Sequence, residues 1–268
     1  MKYKVNDNFF EKIDTESKAY FLGLMFADGC VQSNGKSWRI RIGLHVQDEM
    51  ILKQFKNELN FKGVLYKTEI RRTLQISSKK MGNDLILHGC VPRKSLILEY
   101  PNSIPDNLIN HFIRGYFDGD GCLCISGRGA RLTMLGTEHF VSNVSDRIRK
   151  IGVNSTVFKV KNGNIFTISI SGNRQIKILL EWLYKDSKFY MQRKKEKKKE
   201  FEELLKSIKP MKCRITGTIP EKSIVSDYLD GTMIADIEKK YKITNVTMYK
   251  ILRKNNVALR QKRKGVRQ

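Results

Sequence analysis

The stretch that decides the fold is AYFLGLMFADGC, residues Ala19–Cys30, which returns as HFIRGYFDGDGC, residues His111–Cys122. Identical residues recur in the two copies 92 positions apart, among them Gly23 and Gly115, Asp28 and Asp120, and Gly29 and Gly121. Apolar side chains cover almost the whole surface of both segments, which is typical of helices buried in a core. The repeat therefore predicts two related core helices.

The segments after the two copies correspond as well. The first copy is followed by strand-like, helical and extended stretches at 38–46, 49–59 and 64–77. The second copy is followed by matching stretches at 131–135, 138–152, 156–161 and 165–170. Each half thus reads helix, strands, helix, strands, helix. Residues 1 to about 205 are predicted to be two tandem copies of one unit of helices and strands.

Small residues recur four positions apart in both core helices, as Gly23 with Ala27 and Gly115 with Gly119. This spacing places them on one face, where they allow two backbones to approach closely. We therefore expect the two helices to pack against each other.

Asp28 and Asp120 are predicted to lie in the last turns of these helices, with Gly29 and Gly121 as the helix-ending residues. A carboxylate there is unfavourable by about 0.3 to 1 kcal/mol, because the carboxyl end of a helix is the negative end of its dipole. Two such ends packed together repel further, and a cation would relieve both. A single copy would be explained by a simple Asp-Gly turn, but two matching copies favour a divalent metal, for which we expect Mg²⁺.

Within the repeat, FLGLMFADG at Phe21–Gly29 and IRGYFDGDG at Ile113–Gly121 resemble the paired motifs of the single-chain LAGLIDADG homing endonucleases. The resemblance extends over residues 15 to about 205. It implies an α+β fold with two pseudo-symmetric αββαββα half-domains, at 1–105 and 106–205. Their saddle-shaped antiparallel sheets would lie in the DNA major groove.

The resemblance also implies a metal site at each motif, holding two or more divalent ions in all. The implied metal-site residues are Asp28, Asp120, Gly29 and Gly121. Asp118 has no acidic counterpart, since Phe26 occupies that place in the first copy, and we do not count it as a ligand. Metal-activated water would cut both strands and leave short 3′ extensions.

A basic residue near each metal site is a further family feature. Aligning GCVPRKSLI at Gly89–Ile97 with WLYKDSKFY at Trp182–Tyr190 sets Lys94 opposite Lys188, and Lys185 is a competing choice. Such a lysine would stabilise the charge that develops on the phosphate. A solvated or phosphate-positioning lysine is the alternative interpretation.

Sequence readout is predicted to come from the strands. Apolar residues of 38–46 alternate with Arg39, Arg41 and His45, so one face is core and the other is basic. The same split places Phe158 and Val160 in the core against Lys159 and Lys161. Around 70–77 the polar face includes Arg72 or, with a shifted register, Arg71, Thr73 and Gln75. The sheet residues predicted to contact DNA are Arg39, Arg41, His45, Lys67, Arg71, Arg72, Gln75, Arg128, Arg131, Lys159 and Lys161.

The composition changes beyond the repeat. The basic run at 193–209 is interpreted as the end of a helix with a solvated face, leading into a linker at 206–220. Residues 221–268 resemble a helix-turn-helix, with Thr232 and Thr244 as N-caps and a core of Ala235, Ile237, Ile243, Met248 and Leu252. An ordinary three-helix cap is the alternative. The predicted DNA contacts are Asn245, Thr247, Tyr249 and Lys250 on the third helix, and Arg260, Lys262 and Arg263 in the tail.

Charge and composition narrow the class of protein. The 268 residues carry 51 Lys plus Arg against 27 Asp plus Glu, a net charge of +24 that calls for a polyanionic partner. The charge is spread along the chain, which favours nucleic acid over a lipid surface. A hydrophobic fraction of 40% excludes general disorder. With five cysteines, no CxxC pair, no apolar span and no signal sequence, we expect no disulfide framework or structural zinc, and a cytoplasmic location, or an organellar one for an intron-encoded protein.

The sequence therefore predicts a monomeric, Mg²⁺-dependent, site-specific endonuclease acting on double-stranded DNA with a long, asymmetric target. A transcription regulator with an inactive nuclease domain is one alternative, although inactive forms are expected to lose the two acids. An intron RNA maturase is another, and only an RNA-binding assay separates it. An intein is disfavoured, because the chain has no Cys or Ser at its start and no His-Asn at its end.

Overall fold

The structure is a computed structural model that describes residues 3–33, 35–160, 163–208 and 220–260. Contacts divide the chain into two units, Met1–Ile208 and Lys209–Gln268, which we call the first unit and the second unit. In the described ranges, no helix is both long enough and apolar enough to cross a membrane. Lys161, Lys262 and Arg263 lie outside the described residues.

The first unit contains the two predicted αββαββα halves. The first half consists of α1 (Glu16–Ala27), β1 (Gly29–Ser33), β2 (Trp38–His45), α2 (Glu49–Glu58), β3 (Tyr66–Lys67), β4 (Arg71–Ser77) and α3 (Lys79–Leu87). The second half consists of α4 (Ile109–Asp120), β5 (Gly121–Ser126), β6 (Gly129–Gly136), α5 (Glu138–Lys150), β7 (Thr156–Lys159), β8 (Phe166–Ser171) and α6 (Asn173–Leu183). The α+β fold class is confirmed.

Each half has one antiparallel four-stranded sheet with the same strand order. The order is β1-β2-β4-β3 in the first sheet and β5-β6-β8-β7 in the second. Buried residues alternate with accessible ones along β2 and β6, so one face of each sheet is core and the other is open. Helices α2 and α3 contact the first sheet, and α5 and α6 contact the second.

Helices α1 and α4 form the centre of the first unit. A Cβ atom added to Gly23 would lie 2.0 Å from the carbonyl oxygen of Phe112, and one added to Gly115 would lie 2.0 Å from that of Tyr20. This reciprocal contact of a glycine with the opposite backbone confirms the predicted packing. It also gives the two halves their pseudo-two-fold relation, because each glycine plays the same part for the other helix.

Hydroxyl side chains fix where several helices begin. Thr15 accepts a hydrogen bond from the backbone N–H of Lys18 at the start of α1, and Thr137 accepts one from Phe140 at the start of α5. Such caps satisfy N–H groups that have no partner within the helix. The caps therefore define the first residues of α1 and α5, whereas α4 begins without a side-chain cap.

A further helix, α7 (Gln192–Ser207), follows the second half. The sequence interpretation of this basic run as a solvated surface is incomplete, because Lys194 and Phe201 are buried. Apolar Leu204 and Leu205 also pack against the core of the first unit. The reason is that α7 contacts β5 and α6, so one of its faces joins the core.

The described part of the second unit, residues 220–260, has three helices, α8 (Glu221–Leu229), α9 (Ile234–Tyr241) and α10 (Asn245–Lys254). Its buried residues are Ile224, Tyr228, Ile237, Ile243, Met248, Ile251 and Leu252. Ala235 is exposed, and Ile234 packs against the core instead. Thr244 caps α10 as predicted, but α9 begins one residue later than expected, with Met233 rather than Thr232 at its N-cap.

Candidate active site

The two motif acids lie where α1 and α4 end side by side. Asp28 is the C-cap of α1, and Asp120 is the last residue of α4. The ends are close together, since a Cβ atom added to Gly119 would lie 2.4 Å from the Cβ of Ala27 and 2.6 Å from Oδ2 of Asp28. The small residues at 27 and 119 therefore bring the two carboxylates to one place.

Burial makes both carboxylates harder to ionise, and the charge of Asp120 adds to this effect at Asp28. Removal from water, and next the negative charge of Asp120, raise the pKa of Asp28 to about 6. The cations Lys94, Arg193 and Arg71 act in the opposite direction. Burial also raises the pKa of Asp120, against the opposing effects of Lys94, Lys194 and the Tyr116 hydroxyl. A cation bound between the two acids would remove this penalty.

Gly121 is the C-cap of α4, as predicted, whereas the C-cap of α1 is Asp28 rather than Gly29. Neither ends its helix in the left-handed conformation; instead they are the first residues of β1 and β5. A Cβ on Gly29 would lie 2.4 Å from the carbonyl oxygen of Met25, and a Cβ on Gly121 would lie 2.1 Å from the ring of Phe117. Glycine is therefore required at both positions, because the first residue of each strand lies so close to the last turn of the preceding helix that a Cβ atom has no room.

A buried lysine holds the backbone beside each acid. The Lys94 ammonium donates to the carbonyl oxygens of Ala27 at 3.2 Å and Gly29 at 2.6 Å. The Lys194 ammonium donates to the carbonyl oxygen of Gly121 and lies 4.9 Å from the centroid of the Phe117 ring. Lys94 comes from a 3-10 turn after α3, and Lys194 comes from the first turn of α7. Burial lowers the pKa of Lys194, with Arg193 as a second cause.

The pairing of Lys94 with Lys188 was therefore wrong. Lys188 is exposed, and its backbone N–H donates to Glu16 Oε1 at 2.7 Å, at the end of α1 remote from Asp28. The competing residue Lys185 is also exposed. The two lysines that contact the motif glycines, Lys94 and Lys194, carry a signal in the sequence, because the dipeptide Arg93-Lys94 returns as Arg193-Lys194. That spacing is 100 residues rather than 92, so an alignment anchored on the motifs passes over it.

The donor set fits a hard divalent cation. The described residues contain no group of three or more His, Cys, Asp or Glu side chains that could hold a metal. Asp28 and Asp120 are the carboxylates available, and water and phosphate oxygens would complete the coordination that Mg²⁺ prefers. The carbonyls of Gly29 and Gly121 each accept an ammonium hydrogen bond, and their role as metal ligands stays a prediction.

Asp118 belongs to the core. It is fully buried and accepts hydrogen bonds from the Tyr20 hydroxyl and the Met191 backbone N–H, both at 2.7 Å, and from the Tyr184 hydroxyl at 3.3 Å. Its exclusion as a ligand agrees with these contacts, since its oxygens are occupied by protein donors.

Two open hollows adjoin the acids. The first hollow contains Asp28 and is lined further by Gly43, His45, Asp48, Arg71 and Arg193. The second hollow contains Asp120 and is lined further by Lys94, Tyr116, Leu135, Gly136 and Ile165. Each hollow includes a cation from the opposite half or its extension, namely Arg193 in the first and Lys94 in the second. Arg193 is held there by Asp48, whose Oδ2 lies 2.9 Å from its Nε.

The open face of the first sheet carries most of the predicted readers. Cross-strand pairs place Arg41 beside Gln75 and His45 beside Arg71, which settles the register in favour of Arg71, Thr73 and Gln75. Arg72 pairs with Leu44 on the opposite face and binds Glu49 at 2.7 Å. Lys67 pairs with Arg72 and lies 3.6 Å from Glu49. Arg72 and Lys67 therefore lie on the face of the sheet that the helices cover. Their prediction as DNA contacts on the open face was wrong.

The second sheet departs further from expectation. Arg131 is exposed on its open face, and Arg128 is exposed in the β5–β6 turn. Phe158 pairs with Thr167 and is exposed, whereas Val157 pairs with the buried Ile168. The predicted faces of β7 are thus reversed, and Lys159 does not lie on the open face. The reason is that Phe158 lies beside Leu135 and Ile165, which are apolar and accessible on the open face.

The second unit carries its own candidate surface. Asn245 and Lys250 are exposed on α10, while Thr247 and Tyr249 are half-buried and Tyr249 packs on the core. Arg260 stacks over the Tyr228 ring at 4.2 Å and donates to the carbonyl oxygen of Thr232, so it is part of the packing rather than a free arm.

Comparisons with known proteins agree with this geometry. Residues 107–183 match the model of the LAGLIDADG-like domain. The fold is similar to the I-LtrWI LAGLIDADG homing endonuclease bound to target DNA, with a TM-score of 0.52 at 11% identity over 72% of this chain and 91% of that one. It is also similar to a K262A mutant of I-SmaMI, with a TM-score of 0.51 at 12% identity over 70% and 90%.

One curated relative is a probable translation initiation factor IF-2 of Methanocaldococcus jannaschii, 23% identical over 84% of this chain. The match spans 22% of that longer protein. The fold and the paired acids thus agree with the LAGLIDADG-like model that residues 107–183 match. The chain contains a LAGLIDADG-like domain, and its first unit has the fold of the LAGLIDADG homing endonucleases.

Proposed function

We propose that this protein is a site-specific, divalent-metal-dependent endonuclease that hydrolyses one phosphodiester bond in each strand of a DNA duplex and leaves short 3′ extensions. The observation that carries the proposal is the doubled arrangement of Asp28 with Lys94 and Asp120 with Lys194 at the joined ends of α1 and α4. A single acid at a helix end has a structural explanation. Two acids at adjacent helix ends, each with a buried lysine and an open hollow beside it, are expected of an enzyme that cuts both strands.

The residues divide the chemistry between them. Asp28 and Asp120 would hold the divalent ions, which would supply Lewis-acid chemistry to the phosphate and to the attacking water. Lys94 and Lys194 hold the backbone next to each acid, and their positive charge would stabilise the negative charge that develops on the phosphate. Because both ammonium groups are buried and fixed by carbonyls, they lose little freedom when the substrate binds.

The partner follows from charge and shape. The net charge of +24 favours a polyanion, and the open face of the first sheet presents Arg39, Arg41 and Arg71. A two-stranded or wider β ribbon fits the major groove, where base edges are distinguishable. We propose double-stranded DNA bound by one copy of the chain, in the cytoplasm or in an organelle if the gene lies in an intron.

We also propose that the second unit lengthens the DNA footprint. The three-residue turn Lys242–Thr244 between α9 and α10 and the exposed Asn245 and Lys250 are typical of a helix-turn-helix. The full chain would then protect a longer and more asymmetric site than the first unit alone.

The deciding experiment is incubation of the protein with a randomised DNA library, with and without Mg²⁺, followed by sequencing of all new ends. Ends confined to one motif, and formed only with Mg²⁺, are the expected result. Selective binding without cutting would replace the proposal with a transcription regulator. Binding of structured RNA but not of DNA would replace it with a maturase.

A further inference from the structure

The identical strand order of the two sheets makes their open faces comparable position by position. Gly29 pairs with Ile42 in the first sheet, and Gly121 pairs with Met134 in the second. Counting outward from these pairs makes Arg41 equivalent to Thr133 and Arg39 equivalent to Arg131. On the next strand, Gln75 and Ser169 face these residues in the same way.

The equivalent positions carry different chemistry. In the first sheet, the open face presents Gln32, Arg39, Arg41, Gly43, Arg71, Gln75 and Tyr66. In the second sheet, the corresponding residues are Cys124, Arg131, Thr133, Leu135, Ile165, Ser169 and Phe158. Four pairs on these faces are unchanged, namely Arg39 with Arg131, Cys30 with Cys122, Thr73 with Thr167 and Ser77 with Ser171, so the difference lies in the arginines at 41 and 71, the glutamines at 32 and 75, and Gly43. The first face is thus cationic and amide-bearing, whereas the second is small, neutral and partly apolar.

The difference is sharpest next to the acids. In the first hollow, the Arg71 guanidinium lies over Gly43 and donates to its carbonyl oxygen at 3.0 Å. A Cβ on Gly43 would come within 2.5 Å of Arg71 Nε, so the glycine makes room for the arginine. The equivalent pair in the second hollow is Leu135 with Ile165, which offers neither the charge nor the space.

The apolar residues of the second face remain accessible. Leu135, Phe158 and Ile165 are 46%, 48% and 41% exposed. They are neighbours on the open face, because Thr167 pairs with both Leu135 and Phe158 and the backbone N–H of Val160 donates to Ile165. Their position, continuous with the Asp120 hollow, places them where the duplex would lie against the second sheet.

We propose that the two half-sites of the target are recognised by different chemistry: guanine and adenine edges by the first sheet, and thymine methyl groups by the second. This inference rests on the proposed function, since it assumes that both open faces meet DNA. Arginine reads guanine O6 and N7, glutamine reads adenine, and apolar side chains contact the thymine methyl in the major groove. The two half-sites of the target therefore differ in base composition, with guanines beside the Asp28 hollow and thymines beside the Asp120 hollow.

The experiment separates recognition from cutting. The full chain is used to select duplexes from a randomised library in Ca²⁺, and the bound sequences are aligned. Failure to select any DNA sequence would defeat the proposed function. Selection of a motif whose two halves depend equally on guanine would defeat this inference and leave the nuclease proposal standing.

Variants that exchange equivalent residues assign each half to its sheet. Arg41→Thr combined with Arg71→Ile gives the first sheet the residues of the second, and should reduce the preference for guanine roughly 5- to 100-fold per arginine, in one half only. Leu135→Ser combined with Ile165→Thr should weaken the preference for thymine in the other half only. All four residues are accessible or half-buried, so both variants should melt close to the parent protein.

Arg39→Ala and Arg131→Ala are the matched controls. These arginines occupy equivalent positions, so the two substitutions should weaken binding to similar extents, each in its own half. Lys177→Ala, on the exposed surface of α6, should leave both halves unchanged. A loss of guanine preference in the same half for Arg41→Thr and for Leu135→Ser would contradict the assignment.

Modified bases test the contacts directly. Deoxyuridine lacks the thymine methyl, and each replacement in the half assigned to the second sheet should weaken binding about 3-fold, from the loss of one buried methyl group. The same replacement in the other half should have little effect. Conversely, 7-deazaguanine should weaken binding more in the half assigned to the first sheet, because Arg41 and Arg71 act there in addition to the arginine that both sheets share. Equal sensitivity of both halves to deoxyuridine would overturn the proposal.

Discussion

In the first half of the first unit, Lys94 approaches the motif from a 3-10 turn, whereas in the second half Lys194 approaches the equivalent carbonyl from a separate helix, α7. The ammonium groups nevertheless reach the same backbone position, next to Gly29 and Gly121. The comparison teaches that the position of the lysine ammonium group is constrained, whereas the secondary-structure element that carries the lysine differs between the halves. The open sheet faces differ instead in their side chains, on backbones that pair alike.

The largest effect is expected from the acids. Asp28→Asn and Asp120→Asn each remove half of the charge that would hold the metal, so either substitution should reduce double-strand cutting by about 10³-fold or more. Binding in Ca²⁺ should be largely retained. Cutting assays on the selected target with gel-shift controls measure both. Unaltered cutting by either variant would show that the two motif ends do not act together.

The helix interface is the second test, and here the two halves should respond alike. Gly23→Ala and Gly115→Ala each place a Cβ 2.0 Å from a backbone oxygen of the other helix. Because backbone cannot move aside as a side chain does, we expect a loss of about 3 kcal/mol or more in the free energy of unfolding for each. Denaturant melts measure the change, with Gly129→Ala in β6 as a comparison outside the interface, where a Cβ would lie 3.9 Å from its nearest neighbour, Asn173. A loss in only one of the two interface variants would contradict the reciprocal packing.

The lysines provide the third test. Lys94→Met and Lys194→Met should each reduce the cutting rate at saturating DNA by about 10- to 100-fold, because a fixed charge near the phosphate is lost. Lys188→Met, at the far end of α1, should leave the rate within about 2-fold of the parent. A reversed result, with Lys188 sensitive and Lys194 not, would restore the pairing suggested by the motif alignment.

The second unit has no counterpart in the repeat, and its removal tests how far the comparison of the two halves accounts for the activity. A chain ending at Ile208 keeps the entire core of the first unit. It should bind the target about 10-fold less tightly and with a shallower dependence on salt, because fewer phosphates are contacted. It should still cut at high concentration. Complete loss of cutting at any concentration would show that the first unit is not the nuclease by itself.

The smallest effect is a gain of stability. The pKa of Asp28 is raised from 3.8 to about 6 in the folded protein, so its ionised form is disfavoured there and stability falls as pH rises through this range. Without divalent metal, Asp28→Asn should therefore raise the free energy of unfolding at pH 7 by about 1 kcal/mol, the partial exposure of the group limiting the gain. It should also flatten the profile between about pH 4 and 6. Denaturant melts in EDTA at several pH values measure this, and an unchanged profile would argue against a strained carboxylate.

Much of the fold could be predicted because the repeat is strong. The paired glycines four residues from other small residues predicted the contact of α1 with α4, and the alternating pattern of 38–46 predicted which face of β2 is core. The faces of β7 could not be predicted in the same way. Phe158 and Val160 are apolar, and nothing local indicates that they belong on the accessible side of the sheet.

The site was predicted in part. The acids stand in the motif itself, so their juxtaposition follows once the two helices pack. Lys194 lies eleven residues beyond the end of α6, within a run of six basic residues from Arg193 to Lys199, and which member points inward depends on how α7 packs. Arg193 was missed for the same reason, since its partner Asp48 lies in the other half.

By itself, the sequence determined the repeated unit, the core helices and the two acids, because periodicity and local identity are properties of neighbouring residues. The tertiary structure alone decided which lysine meets Gly121, that Arg71 rather than Arg72 lies over Gly43, and that Phe158 is accessible. Each of these depends on strand register or helix docking, in which small differences in packing between distant segments select one partner from several with the same chemistry.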